Sequence, residues 1–157
     1  MRIVSGLLAL TLSLALTACG DDDDGGGTDA PMPTTSAPTL VTPTLVVEWS
    51  EGKWRDQAAW LEAHTEPVLV EGTAEIDEFV GGLPEEFLES AMPLQDVDPE
   101  TEALLVAGFA NCGKQGEAQV DGETVRFVVS TAKDIQCYWA PIQVQVWSVP
   151  TGLTLAR

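Results

Sequence analysis

The sequence predicts a mostly-β (α+β) fold: an antiparallel sheet, or a small sandwich or barrel, with two or three short helices packed on it. Three observations carry this expectation. An Asp121-Gly122 pair sits between two alternating segments, Glu117–Gln119 and Thr124–Val129. Pro141 and Pro150 bracket IQVQVWSV, in which Ile142, Val144 and Val146 alternate with Gln143, Gln145 and Trp147. Helical periodicity, by contrast, appears only in short stretches.

In chain order, Thr44–Trp49 (TLVVEW) has the composition of a first strand. Trp54, Ala58 and Leu61 then share helical spacing, and Pro67–Val70 (PVLV) is a second short strand. Ile76, Phe79, Val80 and Leu83 follow i, i+3, i+4, i+7, an apolar helix stripe that Gly81-Gly82 should end. Pro84 suits the first position of a further helix, whose buried side would be Phe87, Leu88, Ala91 and Met92. Glu102–Ala110 (EALLVAGFA) is apolar enough for a buried strand.

Asp121-Gly122 suits the centre of a two-residue type I′ turn, where both positions take positive φ. That register sets Val120 opposite Glu123, Ala118 opposite Val125 and Gly116 opposite Phe127. The other face would pair Gln119 with Thr124 and Glu117 with Arg126. Pro141 and Pro150 flank the next strand without interrupting it, and LTLA at the C-terminus reads as a last edge strand.

Residues 1–18 (MRIVSGLLALTLSLALTA) combine one early cation, Arg2, with an apolar run from Leu7 to Leu16. Such a run matches a signal peptide and is shorter than the ~20 residues of a membrane span. Leu16-Thr17-Ala18-Cys19 resembles the bacterial lipobox. The resemblance implies lipidation: a diacylglyceryl thioether on Cys19, cleavage after Ala18 and acylation of the new N-terminus. One acyl chain holds a membrane only marginally, at ~0.8 kcal/mol per buried CH₂, so several chains are needed for stable anchoring.

Residues 19–43 then form an acidic Gly/Pro/Thr-rich tether without aromatics. Such a composition buries too little apolar surface to offset its ordering entropy, and disorder is expected. A flexible-chain estimate places the domain ~25–30 Å from the lipid on average. Residues 44–157 have the size of one domain with one core. Asp21–Asp24 lack the ligand spacing of a calcium loop, because the twelfth position from Asp21 is Met32.

The chain has 7 Lys/Arg against 25 Asp/Glu, a net charge of −18. Loss of Arg2 with the leader makes it one unit more negative. Anionic lipid headgroups and nucleic acids are repelled by such a surface, and no nucleic-acid partner is expected. With Cys19 lipidated, Cys112 and Cys137 remain as a pair, which in an extracytoplasmic domain reads as a disulfide. A metal site on the same two thiolates would need further ligands, and His64 is the single histidine.

The sequence calls for no catalytic residue, no metal and no cofactor. His64 has no GxSxG partner motif, and Gly25–Gly27 lacks the Lys-Ser/Thr of a phosphate loop. Asp96, Asp98, Glu100 and Glu102 form an acidic loop before the central strand, read as a polar turn rather than a metal or acid–base cluster. The five tryptophans, Trp49, Trp54, Trp60, Trp139 and Trp147, could complete a core or line a groove. If Ile142, Val144 and Val146 face the core, Trp147 is exposed or packs under a helix. With Tyr138 and Trp139 it makes the candidate contact surface.

The run from Phe79 through LPEEFLESA, VDPETEALLVAGFANCG, the hairpin and CYWAPIQVQVWSVP resembles small extracytoplasmic β domains of bacterial lipoproteins. In layout it is similar to the C-terminal domain of the protease-complex subunit (PrcB) family, over roughly residues 70–150. Shared features are the Val97-Asp98 lead-in, an apolar strand, a turn near Cys112-Gly113 and a late strand. Asn111-Cys112-Gly113-Lys114 stands where that family has a Thr-Gly-Gly turn. The expectation is therefore a non-enzymatic lipoprotein at the cell membrane, facing the extracytoplasmic side, that binds or scaffolds an envelope protein or glycan. The resemblance implies an alternative, a regulator or inhibitor of an extracytoplasmic protease.

Overall fold

A computed structural model describes residues 42–133 and 135–156. The leader, Cys19 and all but the end of the tether lie outside the described residues. The elements run β1 (Thr44–Ser50), α1 (Ala58–Ala63), β2 (Val68–Val70), α2 (Gly72–Gly81), β3 (Glu102–Ala110), β4 (Lys114–Asp121), β5 (Thr124–Thr131), β6 (Ile142–Pro150) and β7 (Thr154–Leu155). Single 3₁₀ turns occupy Arg55–Gln57, Glu85–Phe87 and Met92–Asp96.

Among the described residues the strands make two sheets and no closed barrel. A four-stranded antiparallel sheet has the order β1-β6-β3-β2, and a three-stranded sheet has the order β4-β5-β7. The mostly-β class and the short helices are as the sequence predicts. Of the late strands, β4 and β5 form the second sheet, and β7 pairs with β5 in parallel.

β3 and β6 are covered on both faces. On one side Leu104, Val106, Val144 and Val146 meet Val47, Trp49, Leu61, Ile76, Phe87 and Leu94 from β1 and the helical segments. On the other, Ala103, Leu105 and Val149 meet Ala118 and Val125 of the second sheet, with Trp147 and Phe127 at the margin. The uniform burial of β3 explains its uninterrupted apolar sequence, because a strand with no solvent face has no reason to alternate.

The hairpin settles in a different register from the expected one. Gly122 takes a positive φ, +59°, and the loop is Gly122-Glu123, with Asp121 opposite Thr124. The Thr124 hydroxyl donates to the Asp121 carbonyl at 2.8 Å. Val120 therefore faces Val125 and Ala118 faces Phe127, so apolar pairs replace the Val–Glu pair of the expected register. On the polar face Arg126 donates to Gln119 at 3.2 Å, rather than pairing with Glu117.

The helical layer is organised by aromatic rings. Trp49 stacks on Phe87 with ring centroids 4.9 Å apart. Trp54 and Trp60 meet Phe87 edge-on at 5.4 and 5.2 Å, within the range that favours T-shaped pairs. The buried Trp49 indole N–H donates to Ser90 Oγ at 2.8 Å, and that hydroxyl donates on to the Phe87 carbonyl at 2.9 Å. α2 begins with the Glu71 N–H donating to the Glu75 carboxylate at 3.1 Å. It stops at the glycine pair, as expected.

The segment after Pro84 is not an α-helix. Phe87 and Ala91 are buried, but Leu88 and Met92 are exposed, and Leu94 takes the next core position. Pro93 lies just inside the following 3₁₀ turn. A proline there cannot supply the N–H that a continuing α-helix needs.

The two sheets approach closely at Gly116. A Cβ at this position would run into the Phe127 ring and lie 2.6 Å from Gln145 Oε1 and 2.8 Å from the Phe109 ring. Gly116→Ala is therefore expected to cost about 1–3 kcal/mol through overpacking. Urea unfolding checks this; an unchanged midpoint would mean that the sheets have slack here.

Candidate functional site

β6 carries two glutamines onto a covered face. Gln143 and Gln145 keep only 7 % and 5 % of their surface exposed, and burying an amide without partners is costly. Both are held. Gln145 Nε2 donates to Glu48 Oε2 at 2.8 Å, and Gln145 Oε1 accepts from the Trp147 indole N–H at 3.2 Å. Gln143 Oε1 accepts from Asn111 Nδ2, and Asn111 Oδ1 accepts from the Lys114 N–H at 3.3 Å.

These groups line an open cleft of about 620 Å³ between the sheets. Its floor is Gln143, Gln145 and Trp147 of β6. One wall is β1 through Glu48, and the other is the start of β4 from Lys114 to Glu117. β1 and β4 are the outer strands of their sheets, so the cleft opens along two strand edges. The volume falls within the ~300–1,000 Å³ of ligand sites, but the lining is polar.

Two carboxylates flank the cleft, and both accept hydrogen bonds. Glu48 holds Gln145, and Glu117 accepts from Gln119 Nε2 at 3.4 Å. They orient amides, and one lysine, Lys114, also lines the cleft, from the β4 wall.

The structure places the expected contact residues in two different settings. Tyr138 and Trp139 lie exposed on the loop between β5 and β6, and the Arg55 guanidinium sits 5.3 Å from the Trp139 ring centre. Trp147 is away from them, half-buried in the cleft floor and packed against the second core. Neither solvent nor a helix covers it, because the sheet of β4, β5 and β7 does. The polar face of β6 looked solvent-facing by alternation for the same reason, and its glutamines were missed. The available signal was β3: a neighbour apolar throughout implies a sheet covered on both sides.

The remaining singled-out residues have local structural partners. Cys112 and Cys137 form a disulfide with Cα atoms 5.9 Å apart, tying the β3–β4 turn to the β5–β6 loop. His64 ends α1, stacks on Trp60 at 3.8 Å, and its Nδ1 lies 2.7 Å from the Trp60 carbonyl. In the acidic loop, Asp98 accepts from the Glu100 N–H and the Thr101 hydroxyl. Glu102 accepts from the Asp98 N–H and from Ser148 Oγ. Those carboxylates close a turn. Among the described residues no group of three or more His, Cys, Asp or Glu is placed to hold a metal ion.

Comparison with protein-family models, with curated proteins and with solved structures returns no match.

Proposed function

We propose that this chain is a lipid-anchored lipoprotein of the cell envelope whose β-rich domain binds an extracytoplasmic component without catalysis. The leader and Cys19 supply the address, as argued from Leu16-Thr17-Ala18-Cys19. The observation that carries the binding reading is the cleft. Two nearly buried glutamines on one strand, each fixed by a neighbouring side chain, present amide groups to an open space between sheets. Hydrogen-bonding side chains locked in this way are preorganised for a ligand, which reduces the ordering cost of binding.

The anchor and the cleft are tested separately. Cys19→Ser is expected to abolish incorporation of labelled fatty acid and release the chain from membranes; retention with label would overturn the anchoring. For the cleft, a photo-crosslinking residue is placed at Gln115, exposed on its rim, and as a control at the exposed Glu66. Adducts formed in envelope preparations at position 115 and not at 66 support the reading. Equal labelling, or none, counts against it.

A further inference from the structure

We propose that the ligand of the cleft is an uncharged saccharide. This rests on the binding reading above and names the chemistry of its ligand. The lining excludes two other classes first. Polar side chains dominate it, so an apolar molecule would strip water from amides and carboxylates without replacing their hydrogen bonds. Glu48 and Glu117 outnumber Lys114 in the lining, so an anion meets more like charge than opposite charge there.

What remains is a neutral ligand rich in hydrogen-bonding groups, and the amides indicate its kind. A carboxamide carries two donors on nitrogen and two acceptor sites on oxygen. The Gln143 oxygen is engaged by Asn111, but its nitrogen has no hydrogen-bond partner among the described residues. No fully buried side-chain nitrogen or oxygen lacks a partner among the described residues, so this nitrogen reaches the open space. Gln145 uses one donor on Glu48 and one acceptor site on Trp147, leaving one of each.

The floor therefore offers unused donors and acceptors side by side on a single strand face. A hydroxyl group donates and accepts through one oxygen, and vicinal hydroxyls repeat that pairing at short spacing. Trp147 lines the same floor, half-buried, with its indole N–H committed to Gln145. An extended peptide would instead draw mainly on the free backbone edge of β4, and would leave the glutamines of the floor largely unused.

The test uses the full-length chain in detergent micelles, labelled with ¹⁵N, because side-chain amides and indoles report directly. Chitotetraose and cellotetraose serve as neutral probes, a tetragalacturonate as the anionic probe, and tetra-alanine as the peptide. Saturable shifts of the Asn111, Gln143 and Gln145 side-chain amides and the Trp147 indole with a neutral saccharide are expected, and none with the uronate. Gln143→Leu should weaken that binding by about tenfold, the loss expected on removing one neutral hydrogen-bonding group. If Gln143→Leu does not fold, Gln143→Glu keeps the shape and an oxygen to accept from Asn111 while removing the free N–H, with the same loss expected.

Three results would overturn the proposal: no shift up to about 10 mM, well above millimolar dissociation constants; shifts confined to Trp139 and its loop; or equal binding of the uronate. Failure of the saccharides while position 115 still captures a protein, or while tetra-alanine moves the glutamine signals, removes the saccharide and leaves the binding reading standing. Failure of both removes both.

Discussion

Phe87→Ala is expected to destabilise the domain by about 3–5 kcal/mol, the largest single effect of any substitution considered. Phe87 is fully buried, and three tryptophans rest on its ring, one stacked and two edge-on. Its backbone carbonyl also receives the hydroxyl that satisfies the Trp49 indole. Removing the ring leaves a cavity walled by rigid aromatics that cannot collapse into it, the condition under which truncation is most costly. Domains of this size have roughly 5–15 kcal/mol of stability in total, so the variant could lose most of it. Urea unfolding followed by tryptophan fluorescence measures the loss. A change under about 1.5 kcal/mol would mean that the box repacks, contrary to the geometry described.

The second large effect is loss of the disulfide. Cys112 and Cys137 are 25 residues apart, and the chain-entropy account gives about 3.5 kcal/mol for closing a loop of that length. The paired substitution Cys112→Ser/Cys137→Ser should lower stability by up to that amount. Reductant should reproduce the loss in the parent chain and do nothing further to the variant. Phe87→Ala should keep its sensitivity to reductant, since the two features lie in different parts of the fold and their effects should add. A paired variant within about 1 kcal/mol of the parent would show that the unfolded chain gains little freedom from opening the loop.

Where one physical signal dominated, the sequence was legible. The β3 run, the alternation of β6, the glycine stop after α2 and the pairing of two cysteines all appear where expected. Three features escaped for separate reasons. The hairpin register differs because the two-residue loop is Gly122-Glu123 rather than Asp121-Gly122, an alignment that pairs Val120 with Val125 and Ala118 with Phe127. The segment after Pro84 follows 3₁₀ turns with about three residues per turn rather than 3.6, which keeps Phe87 and Ala91 buried, turns Leu88 and Met92 outward and brings in Leu94.

The cleft was the least visible part. Polar residues alternating in a strand ordinarily mark a wet face, and only the packing of β4, β5 and β7 turns Gln143 and Gln145 inward. Long-range contacts decide that packing, and the local pattern of β6 does not encode it.

The register of β1 against β6 also orients the molecule. β1 begins at Thr44 opposite Ser148 and ends at Ser50 opposite Gln143, so the polypeptide arrives at one pole of the larger sheet. The loop carrying Tyr138 and Trp139 leads into β6 at the other pole, about 20 Å away for a strand of this length. The aromatic loop and the Gln143 end of the cleft therefore lie at the end of the larger sheet remote from where β1 begins. On the lipid-anchored reading, the residues between Cys19 and Thr44 limit how far the cleft reaches from the bilayer, and shortening that spacer would change its reach without touching its affinity.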